Sequence, residues 1–463
     1  MKGCSKWSYR PYRPLEEEVG DIYICRIVPS AHAIHFEWLN EGGLSYDVYY
    51  RKRAALTFLF WGTAEGGSCD ITGLTEGQEY EFYVQADAKK SRVRLARCAD
   101  AIGTVVNYLH PDDQAYAFSG HYLCSPSLLR HPDGYLLSSM DVFDRHHPQN
   151  LTMIFRSDDN GATWYYVCDL MPCFWGKLFL HKGEVYMLGC STQYGDLLIG
   201  KSPDGGMSFD APVVLLRGSG GRNLQAGPHK NPQNIMRYNG RIYETLEWGT
   251  WFTGKKEFYA AMVMSCDEND DLLVPENWSF SEPRRFVPFA PEIAHLPADT
   301  RTIEGTLTVA PDGRLLNIMR FENTDDLALV YAVNTEDPDA PLEYAGVMKF
   351  PAHRSKFMIK YDTVSQTYYS IATRIYTKER PNARNLLSLM VSKDLKTWTV
   401  AADLFDYREE SWEKYGFQYV DFEMEGDDII YLCRTSLNEA HNLHDTNYQT
   451  FHTLKNFRQY APW

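Results

Sequence analysis

The sequence has few basic residues for its length. Its 463 residues include 46 Lys and Arg against 61 Asp and Glu, which gives a formal net charge of −15 at pH 7. Because nucleic-acid phosphates are bound mainly by Lys and Arg, this balance argues against nucleic acid as a partner. A local basic pocket for a small anion is still compatible with it.

Long apolar runs and paired cysteines are also absent. No stretch is long and apolar enough to cross a bilayer, and the first residues, Met1–Trp7, lack the apolar segment of a signal peptide. The ten cysteines form no C-x-x-C pair, and the closest two are Cys168 and Cys173, so no zinc site is expected. We therefore expect a cytoplasmic protein with reduced thiols that needs no cofactor and contacts no membrane.

Aromatic residues are abundant, at 14% of the chain with 31 Tyr and 11 Trp. Flat rings favour β-structure, and they also stack on the apolar face of a sugar ring, although the core is the more common place for any single ring. The chain is too long for one ordinary core, so two or more domains are expected.

A small β-sandwich is predicted from 18 to 108. The alternation of apolar and polar residues at 33–38 places Ile34, Phe36 and Trp38 on one face of a strand. Such a pattern is typical of a strand with one buried face.

The segment 71–84 contains a Leu, a Gly turn and a Tyr in the order that forms a corner between two sheets. It resembles the fibronectin type III family. Residues 1–17 form a separate N-terminal segment. The module has no clustered His, Asp or Glu, so we interpret it as a spacer or docking surface. The alternative is that it walls the substrate cleft or makes a dimer contact in a homo-oligomer.

The remaining residues, 109–463, repeat a four-stranded unit about every fifty residues. Since one such unit cannot bury both of its faces, the units must stack in a ring. The sequence therefore predicts an all-β chain with a six-bladed β-propeller after the sandwich. Six hairpins with polar turns between apolar strands mark the units at 131–137, 181–186, 237–243, 310–316, 361–369 and 424–431.

A second turn motif recurs later in some units. The segments 157–164 and 202–209 both fit the pattern S-x-D-x-G-x-[ST]-[WF], and 392–398 is a degenerate third copy. This pattern looks like the Asp box, in which the Asp carboxylate accepts backbone N–H groups, the Gly takes a positive φ and the ring packs between blades. The motif supports the fold and not catalysis, because we expect it to join third to fourth strands, away from the mouth of the ring.

The mouth should be lined by the starts of innermost strands and by the loops from second to third strands. Charges at such a narrow centre cost free energy unless they are paired or used, so a functional site is expected there. For any single residue, a salt bridge that holds a loop is an equal alternative. The residues placed at the mouth are Asp141, Asp144, Arg145, His146, His147, Lys177, Glu247, Trp248, Trp251, Glu304, Arg320, Glu322, Lys356, Arg374, Arg384, Tyr419, Asp421, Arg434 and His444.

The later units resemble the sialidase superfamily. Glu304 opens a strand, a Gly turn follows, and Arg320 closes the second strand, as in that family. Arg384 precedes the turn at 392–398, and Tyr419 lies in a segment similar to the one that carries the family's nucleophilic Tyr. The resemblance implies a glycoside hydrolase with this fold.

The resemblance also implies roles for these residues. Tyr419 would be the nucleophile and Glu304 the base that removes its proton, because a phenol with a pKa of about 10 needs such a partner at neutral pH. Asp141 would be the acid/base, with Asp144 as the alternative. The substrate contacts would be Arg320 and Arg384, which fork onto a carboxylate, with Arg434, Lys177, Glu247, Asp421 and His121.

One position departs from the family pattern. Sialidases open the first blade with Arg-Ile-Pro, and that Arg helps to hold the substrate carboxylate. Here Pro126 matches the Pro, and Cys124 stands where the Arg should be. Losing one charged hydrogen bond costs about 1.5–3 kcal/mol. We therefore expect an exo-glycosidase for a terminal acidic sugar other than ordinary sialic acid, such as a uronate.

Two alternatives remain open. One is a polysaccharide lyase of the kind that splits rhamnose from glucuronate, which the segment 231–241 resembles; His121, Tyr419, Lys177 and Arg434 would supply base, acid and charge neutralisation. The other is a propeller that binds carbohydrate without catalysis. The partner is a carbohydrate in all three cases, and only the lyase forms an unsaturated product that absorbs in the ultraviolet.

Overall fold

The computed structural model describes most of the chain. Trp251, which the sequence places at the mouth, lies outside the described residues. The described residues are 6–8, 15–219, 225–250 and 258–463.

The described chain is almost entirely β-structure. It has one short helix, α1 (Leu15–Val19), and two single 3₁₀ turns at Pro275–Asn277 and Phe457–Tyr460. Over these residues, no helix has the length and apolar character that a membrane crossing requires. The prediction of an all-β chain is confirmed at this level.

The N-terminal module packs two antiparallel sheets against each other. One sheet has the order β1-β2-β5 and the other β4-β3-β6-β7, with β8 also paired to β6. Ile34, Phe36 and Trp38 are buried between them, as the alternation predicts. The strands are β1 (Ile24–Pro29), β2 (Ala33–Trp38), β3 (Tyr46–Lys52), β4 (Leu59–Ala64), β5 (Ser68–Thr72), β6 (Glu79–Ala86), β7 (Lys89–Lys90) and β8 (Arg94–Arg97).

The rest of the described chain forms six successive antiparallel sheets, numbered here 1 to 6. Sheets 1 to 3 consist of β10 (Tyr122–Arg130), β11 (Leu136–Phe143), β12 (Leu151–Ser157) and β13 (Tyr165–Leu170); β14 (Phe174–His181), β15 (Glu184–Cys190), β16 (Leu197–Lys201) and β17 (Val213–Leu216); and β18 (Gly227–His229), β19 (Met236–Tyr238), β20 (Arg241–Thr250), β21 (Phe258–Asp267), β22 (Trp278–Phe280) and β23 (Arg284–Arg285).

Sheet 6 is completed by a strand from the start of this region. The strand β9 (Thr104–Tyr108), which the sequence places at the end of the sandwich, pairs with the last strand of the chain and so belongs to sheet 6. Sheets 4 to 6 consist of β24 (Thr302–Val309), β25 (Leu315–Phe321), β26 (Leu327–Ala332) and β27 (Glu343–Lys349); β28 (Lys360–Asp362), β29 (Thr367–Thr373), β30 (Leu386–Ser392) and β31 (Thr399–Asp406); and β32 (Gly416–Glu425), β33 (Asp428–Ser436), β34 (Tyr448–Leu454) and β9.

Each sheet packs on the next through apolar side chains, and the sixth packs on the first. Ile154 of sheet 1 shares a core cluster with Met187 of sheet 2, and Leu432 of sheet 6 shares one with Met153 of sheet 1. The clusters between the other neighbouring sheets are equally apolar. Burial of both faces of every sheet therefore depends on its neighbours.

The turns with the S-x-D pattern lie where the sequence places them, between third and fourth strands. In the first, Asp159 accepts the backbone N–H of Thr163 at 2.8 Å, and Trp164 packs against Phe451 of sheet 6. In the second, Asp204 accepts the N–H of Ser208 at 2.8 Å. Both turns hold backbone groups and bring no catalytic group to the centre.

Candidate functional site

The first strands β10, β14, β24 and β32 share an irregularity near their starts, where the ladder slips by one residue. In the last three of these strands the residue at the slip, Trp175, Glu304 or Tyr419, has a positive φ, of 53°, 59° and 54° respectively. A bulge re-aims a side chain, and a non-glycine residue in the left-handed region is strained, typically by 1–3 kcal/mol. The irregularity marks these three side chains as a shared centre.

Tyr419 and Glu304 meet directly although 115 residues separate them. The Tyr419 hydroxyl donates to Glu304 Oε1, and Arg320 Nη1 donates to Glu304 Oε2 at 2.7 Å. Burial opposes the charge on Glu304, but Arg320 and the Tyr419 hydroxyl hold the pKa of Glu304 below its usual value. Burial and the Glu304 carboxylate raise the pKa of Tyr419. The pair therefore consists of a neutral phenol and an ionised carboxylate.

More guanidinium groups than carboxylates surround this pair. Arg320 also contacts Glu322 at 2.5 Å. Arg384 is buried and, among the described residues, donates to backbone carbonyls alone, those of Ala383 at 3.1 Å and Arg354 at 2.8 Å. Burial and the nearby Arg320 charge lower the pKa of Arg384 to about 10, so it stays charged at neutral pH. Burial also lowers the pKa of Arg354.

Arg434 comes from sheet 6 and lies over the Tyr419 ring, with its guanidinium carbon 4.9 Å from the ring centre. Its Nη1 is 3.2 Å from the Cys124 sulfur, and its Nη2 donates to the His444 carbonyl. Its Nε is buried and has no hydrogen-bond partner among the residues that the structure describes. Within the described residues, no carboxylate pairs with Arg384, Arg354 or Arg434.

Asp141 is buried, and its carboxyl group is not available to this centre as an exposed acid. Its side chain has no exposed surface; it accepts the Thr152 hydroxyl and, at 2.9 Å, the Trp175 backbone N–H. Burial raises its pKa to about 7. The carboxyl group therefore holds the bulge at Trp175, and its burial argues against the predicted acid/base role.

Lys177 and Asp421 pair with each other instead of facing a ligand. Lys177 Nζ lies 2.5 Å from Asp421 Oδ2, which also accepts the Leu128 N–H at 2.8 Å. Both side chains are almost fully buried. Since each follows a bulged residue by two positions, the pair forms a layer below Trp175 and Tyr419. This ion pair fills the positions that the sequence assigned to substrate contacts.

Glu247 is buried beside Glu304 and makes two contacts. It binds His229 Nδ1 at 2.7 Å through one oxygen and accepts the Gly305 N–H at 3.2 Å through the other. The His229 ring lies 4.2 Å from the Trp175 ring, centre to centre. Glu247 thus ties His229 to the bulge that presents Glu304.

His121 lies in a separate group on the sheet 1 side. Its Nδ1 is 3.0 Å from Asp144 Oδ2, and His147 Nδ1 is 3.1 Å from the same oxygen. Asp144 Oδ1 accepts the His146 N–H at 2.8 Å. The alternative acid, Asp144, is therefore engaged by two imidazoles.

Sequence reasoning missed His229 and Arg354. His229 ends a first strand of only three residues, which is too short to show alternation. Arg354 lies in a turn before β28, and no motif marks it. The one available indication is position, since each residue stands just before or within the first strand of its sheet.

A cavity of about 680 Å³ lies at the other ends of the first strands, lined mainly by apolar residues such as Leu128, Leu178 and Ile359. Lys360 at its wall pairs with Glu423 at 2.6 Å. The cavity contains neither Tyr419 nor Glu304, so its size does not identify the chemical centre.

The sequence matches no protein-family model, and no curated protein matches it. Among solved structures, a mutant of the α-L-arabinofuranosidase of Fusarium graminearum with an iminosugar inhibitor is similar at a TM-score of 0.50 and 13% identity, over 77% of this chain and 98% of that one. The similarity shows a shared β-propeller fold.

Two further structures are similar at lower scores. The α-L-arabinanase of Penicillium chrysogenum with arabinobiose has a TM-score of 0.48 and 13% identity, over 77% of this chain and 98% of that one. An ulvan lyase bound to GlcA(1-4)Rha3S units has a TM-score of 0.46 and 10% identity, over 98% of this chain and 95% of that one.

Proposed function

We propose that the chain is a sialidase-like exo-glycosidase that removes a terminal acidic sugar, with Tyr419 as the nucleophile. The observation that carries this proposal is the contact of the Tyr419 hydroxyl with Glu304, whose other oxygen binds Arg320 at 2.7 Å. In this proposal the six sheets are the blades of a six-bladed propeller. The N-terminal module is a fibronectin type III-like sandwich, which its strand order β1-β2-β5 and β4-β3-β6 supports.

The contact supports a covalent mechanism. Because burial and Glu304 raise the pKa of Tyr419, the phenol attacks only if its proton is removed as the new bond forms. The phenolic oxygen bonds to the anomeric carbon, Glu304 takes the proton, and the bond to the leaving oxygen breaks. Water then attacks the same carbon and releases Tyr419, so the sugar retains its configuration.

The leaving oxygen needs a proton, and the Asp141 oxygens already accept the Thr152 hydroxyl and the Trp175 N–H. His229 is the better candidate, because Glu247 holds its Nδ1 at 2.7 Å through one oxygen and accepts the N–H of Gly305, next to Glu304, through the other. A carboxylate on Nδ1 orients the imidazole ring. His229 Nε2 would then donate to the leaving oxygen.

The unpaired guanidiniums support an anionic sugar. A buried charge without a partner is costly, so Arg384 and Arg434 are expected to gain a partner when the ligand binds. Two guanidinium groups can take both oxygens of a carboxylate. Arg434 lies against Cys124 and brings a guanidinium to the position where the resemblance expects an Arg from the first blade.

The proposal is tested with aryl glycosides of neutral and acidic sugars, read for released phenol and for enone absorbance. Tyr419→Phe and Glu304→Gln should each lower kcat by about 10²–10⁴, while Tyr369→Phe, a buried tyrosine of sheet 5, should not. Hydrolysis that survives both substitutions would refute the proposal. Enone absorbance would favour the lyase, and binding without turnover would favour the non-catalytic propeller.

The acid is tested separately by leaving group. His229→Gln should slow release of an alkyl alcohol far more than release of a nitrophenol, because a good leaving group needs little protonation. An equal loss with both leaving groups would remove His229 from the mechanism and leave Tyr419 in it.

A further inference from the structure

The group of His121, Asp144 and His147 has the composition and spacing of a metal site. Two imidazole nitrogens and a carboxylate oxygen lie within 4.8 Å of one another. Two His and one carboxylate are a common ligand set for zinc in sites that keep a fourth position open. We propose that these three side chains bind a divalent transition-metal ion, with Zn²⁺ as the best fit.

The two imidazoles point their Nδ1 atoms at one oxygen. The distances to Asp144 Oδ2 are 3.0 Å for His121 and 3.1 Å for His147, and the ring centres lie 4.5 Å apart at 70°. His147 Nδ1 has no partner of hydrogen-bond geometry despite its 3.1 Å contact. Ligands about 2.1 Å from a common ion lie roughly 3–3.5 Å apart, so small side-chain rotations suffice to admit one.

The surroundings hold the carboxylate in place for this task. Asp144 Oδ1 accepts the His146 backbone N–H at 2.8 Å, so Oδ2 is the oxygen that faces both imidazoles. The Gln149 side chain donates to the Asp144 carbonyl at 2.9 Å and fixes the loop. Such second contacts orient metal ligands and raise their affinity.

The charge of the site also suits a cation. Asp144 is buried and both imidazoles are half-buried. The Asp144 carboxylate would offset part of the charge of a divalent ion. Its open position would face the mouth, where a sugar oxygen could replace water.

The test uses the full-length protein after treatment with a chelator and dialysis. Zn²⁺ is titrated by calorimetry, and Co²⁺ binding is followed by visible absorbance, which reports tetrahedral nitrogen and oxygen ligands. We expect one ion per chain. His147→Ala and Asp144→Asn should weaken binding by more than the 10–100-fold that loss of an outer contact causes.

The adjacent and exposed His146 provides the matched control, since His146→Ala should leave binding unchanged. His441→Ala tests whether the His441 and Asp445 pair on the neighbouring rim binds the ion instead. Circular dichroism of each variant checks that it folds. Absence of Zn²⁺ binding by the folded wild type, binding that survives both ligand substitutions, or binding lost only in His441→Ala would overturn the proposal.

Discussion

Replacement of Arg384 by Met separates the effect of this guanidinium on the stability of the fold from its effect on ligand binding. The change keeps a flexible apolar stem and removes a buried charge that donates, within the described part of the chain, to two backbone carbonyls and no other group. If the role of Arg384 is to bind an anionic ligand, the Arg384→Met substitution should not destabilise the free protein. The substitution should abolish tight binding of the acidic sugar.

The magnitude follows from two opposing terms. The pKa of Arg384 falls from 12.5 to about 10, which corresponds to about 3.5 kcal/mol of unfavourable charge in the folded state at about 1.4 kcal/mol per pKa unit. Two hydrogen bonds to backbone carbonyls, lost in the variant, contribute roughly 2 kcal/mol together. The free energy of unfolding should therefore rise by about 1.5 kcal/mol.

The direction in which pH changes the stability difference between wild type and Arg384→Met also follows from this pKa. Arg384 is charged in both the folded and unfolded states below its folded pKa of about 10. The difference between wild type and Arg384→Met should therefore be constant from about pH 5 to 9 and shrink only above the folded pKa, where the wild type regains stability. Urea unfolding at pH 5, 7 and 9 measures it.

Arg374→Met is the matched control, because Arg374 lies in the same sheet and has a carboxylate partner. It donates to Asp403 at 3.0 and 2.9 Å, and both side chains are partly exposed. We expect this variant to lose up to about 1 kcal/mol of stability and to keep sugar-acid binding. If Arg384→Met were destabilised at least as much, or still bound the sugar acid with wild-type affinity, the assignment of Arg384 to an anionic ligand would be refuted.

Further predictions concern the strained strands and the base. Gly305→Ala places a Cβ 2.1 Å from Asn317 Oδ1, and Gly176→Ala places one 2.6 Å from the Met187 sulfur. Each variant should lose about 1–3 kcal/mol of stability in urea unfolding. Only Gly305→Ala should also lower kcat, and equal kcat losses in the two variants would contradict the link to Glu304. Trp164→Ala should lose about 3–5 kcal/mol of stability and leave KM unchanged. A raised KM would indicate that this turn contacts the substrate. Because the pKa of Glu304 is lowered and the proposed base must be ionised, the acid limb of kcat/KM should have its midpoint below the ordinary pKa of a Glu side chain; a midpoint above that ordinary value would assign the limb to another group.

Much of the fold follows from local patterns. The alternation in β2 and the polar hairpin turns are short-range features, and each predicted hairpin lies between two strands of one sheet. The turn at Asp159 also falls between third and fourth strands, as its position in the repeat predicts. These features depend on residues that are neighbours in sequence, so the sequence suffices to find them.

The site is harder to predict because its polarity is decided by partners far apart in the chain. Lys177 and Asp421 look like ligand contacts in sequence, but 244 residues apart they neutralise each other. Asp141 looks like an acid, but its carboxyl group is consumed by the backbone of the next sheet. Whether a distant partner neutralises a charged side chain cannot be derived from the sequence of a single strand.

The strained residues and the charges that remain without an oppositely charged partner are the best indicator of chemistry in the molecule. Glu304 and Tyr419 occupy strained backbone positions, and Arg384 and Arg434 remain buried with no carboxylate partner in the described chain. Each feature lowers the stability of the free protein, and packing elsewhere offsets it. Strain and unpaired charge converge on one phenol, in a protein whose other buried charges are mostly paired, and this combination supports the proposed site for an anionic ligand. A ligand that supplies the missing negative charge should therefore stabilise the wild type against urea more than it stabilises Arg384→Met.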